Sequence, residues 1–268
     1  FYIFSFLSLL TFFLARSYNF NSYEGDSEFV TAPSMVIMPI FLYLVYLFWD
    51  QPKKTIIWYF AILLITIYGG KRTAIIGSFL GIIIYLFFYV KRFKQNRVRS
   101  IILSLFVLFL LIFSTIYTYN NNQLFQYRVS QSLSGQDDSR VVLYVQLLDS
   151  YVNFDTIESL FGIGFYGSES IIGLHAHSDW IELLINTGAI GTFLYFIFLF
   201  VISRYILFKK HSLRDKCVLI MLILFWLILS FTQAHIYAFT SIMYFVLLGF
   251  IIGRQDKNSK HIQVKDSS

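Results

Sequence analysis

The feature that most constrains this chain is the recurrence of apolar runs close to the length of a bilayer crossing, separated by short polar connections. A membrane-crossing helix needs roughly 20 mostly apolar residues. Runs that meet or approach this lie near 1–15, 33–49, 55–70, 73–90, 101–118, 189–208, 217–233 and 236–253. The last two form one apolar stretch, divided at Thr232, Gln233 and His235 because a single helix of that length would overshoot the bilayer. Only 13% of residues are charged and 57% are hydrophobic, whereas soluble domains carry about 25% charge. Lipid must solvate much of this surface. The expected fold is all-α: a single polytopic transmembrane helix bundle over 1–268, with a large outer loop at 119–188 containing amphipathic helices, and a tail at 254–268.

Charge placement gives the bundle an orientation. The net charge of +6 invites a nucleic-acid reading, but 16 of the 21 basic residues sit in alternate connections. These are Lys53 and Lys54; the run from Lys91 to Arg99; the run from Arg204 to Lys216; and the tail from Arg254 to Lys265. The positive-inside rule puts these connections and the C-terminus in the cytoplasm. The alternation closes for eight spans, and the basic excess becomes an orientation signal rather than a nucleic-acid patch. The opposite side carries eleven of the fifteen acidic residues and five basic ones: Arg16, Lys71, Arg72, Arg128 and Arg140.

The outer loop has the composition of a structured segment. Residues 140–153 place Val141, Tyr144, Val145, Leu148 and Val152 on one helical stripe, as in a helix that lies on the membrane or packs on the bundle. Gly162 and Gly164 follow, with Gly167 and Gly173 beyond, where the backbone can turn tightly. Then come His175, His177, Ser178 and Asp179, and a helix from Trp180 to Thr187. Asp179 and Glu182 have capping-box spacing, and Gly188 stands where a glycine ends a helix. The one cysteine, Cys217, lies in an apolar run and can form neither an intrachain disulfide nor a thiolate cluster.

Three constellations can carry chemistry. Lys71 and Arg72, after Gly69-Gly70, are either a cationic site for a phosphate or snorkelling anchors. Their place against the positive-inside bias favours the first. Arg140 heads the amphipathic helix, where the helix dipole does not favour a cation; it either meets an outside anion or pairs with Asp137 or Asp138. His175 and His177 lack a third ligand in metal-site spacing. A histidine titrating near neutrality suits proton abstraction from a hydroxyl; the alternative is an ordinary loop histidine.

The order of these motifs resembles the O-antigen ligase/polymerase family of membrane glycosyltransferases. The residues that carry the likeness are Lys71-Arg72, Arg140, Gly162-Ile163-Gly164, the block His177-Ser178-Asp179-Trp180-Ile181-Glu182-Leu183-Leu184, and Gly188-Ala189-Ile190-Gly191. It covers roughly 55–210. Ser178 stands where asparagine is common, and eight spans are fewer than the family usually has, as expected of an N-terminally truncated fragment. The resemblance implies a bacterial inner-membrane enzyme without cofactor or metal. Its donor would be a glycan on polyprenyl (undecaprenyl) pyrophosphate, and its product a surface polysaccharide such as O-antigen or capsule, made with or without a chain-length regulator.

It further implies His177 as catalytic base and Arg72 and Arg140 as pyrophosphate-binding, with Lys71 and Arg128 as further cations. His175, Asp179, Gly162 and Gly164 would be supporting residues. Polymerisation of repeat units is preferred to ligation onto a lipid A-core, because polymerases are common in Phe/Ile-rich glycan loci. A transporter or flippase would require charged or broken sites near the bilayer midplane and an internal repeat, neither of which stands out. A structural membrane protein would need no histidine and arginine constellation on the outer face.

Overall fold

The computed structural model describes residues 32–69, 72–92, 97–121, 126, 130, 139–176, 178–232 and 239–266. Among them there is no strand, and the chain runs as α-helices: α1 (Ala32–Leu47), α2 (Pro52–Gly69), α3 (Arg72–Arg92), α4 (Arg97–Asn121), α5 (Ser139–Val152), α6 (Thr156–Phe161), α7 (Gly167–Ile172), α8 (Asp179–Phe208), α9 (Leu213–Thr232) and α10 (Phe239–Asp266). The protein is an all-α membrane protein. By length and composition three described segments are able to cross a membrane: Ile75–Arg92, Ser100–Asn121 and Asp179–Phe208. Shorter apolar helices cover Met38–Leu47 and Ser241–Arg254. The expected first span, 1–15, lies outside the described residues.

α9 is the centre of the bundle. Cys217, Val218, Leu219, Met221, Leu222, Phe225, Trp226 and Leu229 are all buried, and Ile220, Ile223, Leu224 and Leu227 on the remaining side are partly buried, so this helix is apolar all round, as suits a helix largely surrounded by others. It packs against α1, α3, α8 and α10. Helices in lipid gain no hydrophobic free energy by meeting, so close packing has to hold them. Gly77 and Gly81, one turn apart on α3, supply that closeness. A Cβ at Gly77 would collide with the Met38 side chain of α1, and one at Gly81 would come within 2.7 Å of Phe225 Cζ on α9. α3 is thereby wedged against both neighbours at once. The outward faces of α3 and α4, with Phe87, Phe106, Phe109 and Phe113 exposed, suit contact with lipid.

The two ends of the bundle differ. At one end, the Arg92 guanidinium donates to Asp50 Oδ1 at 2.7 Å and to the Trp49 carbonyl at 2.5 Å. Arg214 lies over the Tyr46 ring at 4.4 Å, and Arg254 donates to the Tyr46 hydroxyl at 2.7 Å. Basic residues from three of the connections thus meet around the end of α1. At the other end of α9, the Ser178 hydroxyl reaches the Ser230 carbonyl at 3.4 Å, beside the segment 139–178. A 20-residue helix separates these ends by about 30 Å.

Replacing Gly81 by Val should overpack the α3–α9 contact and cost about 1–3 kcal/mol. The measurement is the melting temperature of the detergent-purified protein. An unchanged value would mean that Phe225 has room to swing away.

Candidate functional site

The site is built on a break in α8. Gly188 has φ 66° and ψ −168°, which interrupts a helix that otherwise runs from Asp179 to Phe208. The sequence expectation that a helix ends at Gly188 and another segment starts directly after it matches this geometry. A break exposes carbonyls that a continuous helix would use, and at a membrane boundary these need partners. The loop after α6 supplies them: the Ile163 amide donates to the Ile185 carbonyl at 3.0 Å, and the Gly164 amide to the Asn186 carbonyl at 3.1 Å. Thr192 Oγ1 donates to the Gly188 carbonyl at 2.9 Å. The two backbones come so close that a Cβ on either side has no space. One at Gly162 would meet the Asn186 carbonyl group, and one at Gly188 would meet the Leu160 carbonyl group and lie 2.6 Å from Gly162 N. Gly162 has φ +76° and Gly164 φ +95°, which also favours glycine.

On the helix just before the break, Asp179, Glu182 and Asn186 share one face at spacings of three and four residues, and all three are buried. Glu182 gathers donors from three elements. Its Oε1 accepts the Ala176 amide at 2.5 Å. Its Oε2 accepts the Ser168 hydroxyl of α7 at 2.6 Å and the Asn186 side-chain amide at 3.1 Å. His175 Nδ1 stands 3.7 Å from Glu182 Oε1, and its Nε2 is 3.7 Å from Glu169 Oε2. His175 and Glu169 are about half exposed, while Glu182 is sealed.

This corrects one reading of the sequence. Asp179 and Glu182 do not form a capping box. The N-cap is Ser178, without a side-chain cap bond, so Glu182 falls one residue too late to reach back to the cap and bonds Ala176 instead. The capping box belongs to α6, where Asp155 and Glu158 make both bonds.

Asp179 takes part in a second buried network inside the bundle. Tyr195 Oη lies 3.4 Å from Asp179 Oδ2 and 2.9 Å from Ser230 Oγ, and Trp226 Nε1 donates to it at 2.6 Å. The network links the start of α8 to its second half and to α9. Helix α5 packs on this region through Tyr144, Leu147 and Tyr151, with Leu147 touching the cluster of Ala176 and Ile185. Of the expected stripe only Tyr144 faces inward. Val141, Val145, Leu148 and Val152 are exposed, so the apolar arc is wider than the packing face and part of it remains uncovered.

The structure brings His175, Asp179, Gly162 and Gly164 into one region around the α8 break. Lys71, Arg128 and His177 lie outside the described residues, as do the side chains of Arg72 and Arg140; the backbones of these two arginines lie at the starts of α3 and α5. Ser168, Asn186, Tyr195 and Ser230 were not singled out from the sequence, and Glu182 only as a cap and as one residue of the block that carries the family likeness. The available signal was the set 179, 182 and 186: two carboxylates and an amide on one face next to an apolar span, where such groups mark function.

Residues 56–196, just over half of the chain, match the family model described as O-antigen ligase. No curated protein and no solved structure matches the chain.

Gly188→Ala should cost more than Gly173→Ala. Both positions have positive φ, which costs an L-residue about 1–2 kcal/mol, but a Cβ at Gly173 meets nothing within 4 Å. At Gly188 it meets backbone that cannot move aside. Melting in detergent should separate the two variants clearly; equal melting temperatures would mean that the α6–α8 contact yields.

Proposed function

Because the chain belongs to the O-antigen ligase family, we propose that it is a membrane glycosyltransferase that polymerises polyprenyl-pyrophosphate-linked oligosaccharide repeat units into a surface polysaccharide. The observation that carries this reading is the block 175–191. It lies inside the family match, and its buried carboxylate, broken helix and pinned loop make a rigid mount at one end of a membrane bundle. Rigid support is what a transfer site needs, since small misplacements of reacting groups are costly.

In the proposed reaction an acceptor sugar hydroxyl attacks the anomeric carbon of the donor glycan. A new C–O bond forms there as the bond to the pyrophosphate oxygen breaks, and the electron pair leaves with the pyrophosphate. His177 takes the hydroxyl proton. Arg72 and Arg140 hold the leaving pyrophosphate, whose negative charge grows in the transition state. Arginine suits this because its planar fork grips two phosphate oxygens at once. Lys71 and Arg128 add positive potential. The transfer is proposed to need no metal. The loop side faces outward and the basic end lies in the cytoplasm of a bacterial inner membrane, a placement supported by the gathering of Arg92, Arg214 and Arg254 around the end of α1.

A second reading, ligation of the glycan onto a lipid A-core, is supported by the description of the matched family. Deleting the gene and running surface glycans on a gel separates the two. A product of one repeat unit means polymerisation; long lipid-linked glycan with a bare core means ligation; an unchanged pattern refutes both.

In the same background, His177→Ala should lower transfer by about 100- to 10,000-fold at matched membrane expression. Arg140→Lys should lower it by roughly 10- to 100-fold, the loss of about 1.5–3 kcal/mol for one charge-assisted contact. Full activity with lysine would mean that Arg140 is a headgroup anchor.

A further inference from the structure

Glu182 is more than the structure needs for a hydrogen-bonded staple. It is fully buried, and taking a carboxylate out of water is expensive unless strong partners surround it. Among the described residues the basic side chain within ion-pair distance is His175, itself half exposed. A neutral glutamine would fill the same space with far less desolvation. What a carboxylate offers is that it only accepts. Three donors converge on it, the Ala176 amide, the Ser168 hydroxyl and the Asn186 amide, and the His175 ring stands alongside. No neutral side chain of that size accepts from all of them without presenting a donor of its own.

The arrangement is also placed where position matters. The Ala176 amide bonded to Glu182 belongs to the residue directly before His177. On the other side of His177, Ser178 is buried and bonds the Ser230 carbonyl at the end of α9. The two neighbours of position 177 are therefore fixed, one through Glu182 and one through α9. Asn186, which bonds Glu182, also accepts the Ser168 amide through Oδ1 at 3.3 Å, and its carbonyl is bonded by Gly164. The carboxylate thus ties the loop before α8 to the helix break itself.

We infer that Glu182 is a positioning residue: its carboxylate holds the Ala176 amide, next in sequence to the base at 177, so that proton transfer from the acceptor hydroxyl stays in register with the departing pyrophosphate. This rests on the glycosyl-transfer reading given above. Glu182 does not touch the reacting atoms; it acts through the Ala176 amide and the His175 ring.

The test uses the full chain, purified in detergent, with the lipid fraction from the gene-deletion strain, which holds the accumulated lipid-linked glycan, as substrate. Glu182→Gln turns an amide donor towards the Asn186 amide and should lower kcat by about 10- to 100-fold. KM for the lipid-linked glycan should stay within about twofold, because positioning acts on the chemical step and not on uniform binding. The melting temperature should fall only slightly. The double variant Glu182→Gln/Asn186→Asp returns an acceptor to face the new donor and keeps a carboxylate in the cluster; it should recover most of kcat. If the single variant does not accumulate, the double variant alone decides, by folding with near-normal kcat.

Wild-type kcat in Glu182→Gln overturns the inference, and so does a folded double variant with no recovery. A loss of kcat that merely follows the loss of folded protein also overturns it. A wild-type protein that moves no glycan from this substrate refutes the glycosyl-transfer reading instead, and the positioning role falls with it.

Discussion

The structure depends on a constraint that lipid imposes on the backbone. Away from water, every amide and carbonyl must find a partner within the protein. Most of the chain meets this by being helical. α8 does not, because Gly188 breaks it near the start of the span. The carbonyls of Ile185 and Asn186 are answered by the amides of Ile163 and Gly164, and this exchange fixes where the loop after α6 must lie. Once it is seated, α7 follows through Ser168, and α5 through Leu147. A local failure of regular helix thus organises how α5, α6 and α7 pack on α8.

The glycines make the same point from the steric side. Gly162 and Gly188 lie on the two sides of that contact: a Cβ at Gly162 would strike the Asn186 carbonyl group and Thr187 N, and one at Gly188 the Leu160 carbonyl group and Gly162 N. Gly77 and Gly81 do the equivalent work deep in the bundle, where α3 approaches α1 and α9. In both places the molecule gives up side-chain volume to let main chains approach, because dispersion and hydrogen bonds, rather than water exclusion, have to hold helices together in lipid.

Much of this was legible in the sequence, for identifiable reasons. The apolar runs stand out because lipid demands length as well as composition, and helices cover the runs that fall within the described residues. The break at Gly188 was legible because a glycine between two helical patterns has few other uses. The role of Glu182 was not. Its spacing from Asp179 reads as a capping box, and only the three-dimensional start of α8, with Ser178 as cap, shows that the register is off by one and frees the carboxylate for Ala176. The packing face of α5 was hidden for a related reason. Its apolar arc is broad enough to include both Leu147, which is buried, and Val145, which is not, and periodicity alone cannot say which edge of a broad arc meets the core. Ser168 and Ser230 gave no signal at all, since a serine becomes informative only when its partner is known.

The small cluster beneath α5 has a practical corollary. Leu147 and Ala176 close over Ile185, which belongs to α8. Among the described residues the segment from α5 to α7 therefore has no separate buried cluster; one of the three buried members comes from a helix that continues into the bilayer. Excised at its ends it would lose that floor and the carbonyls that anchor Ile163 and Gly164, and it would bare the apolar flank of α5 as well. The segment from α5 to α7 is not a unit that can be cut free and handled in water. Binders raised against its native surface would have to be selected on the whole chain held in lipid or detergent.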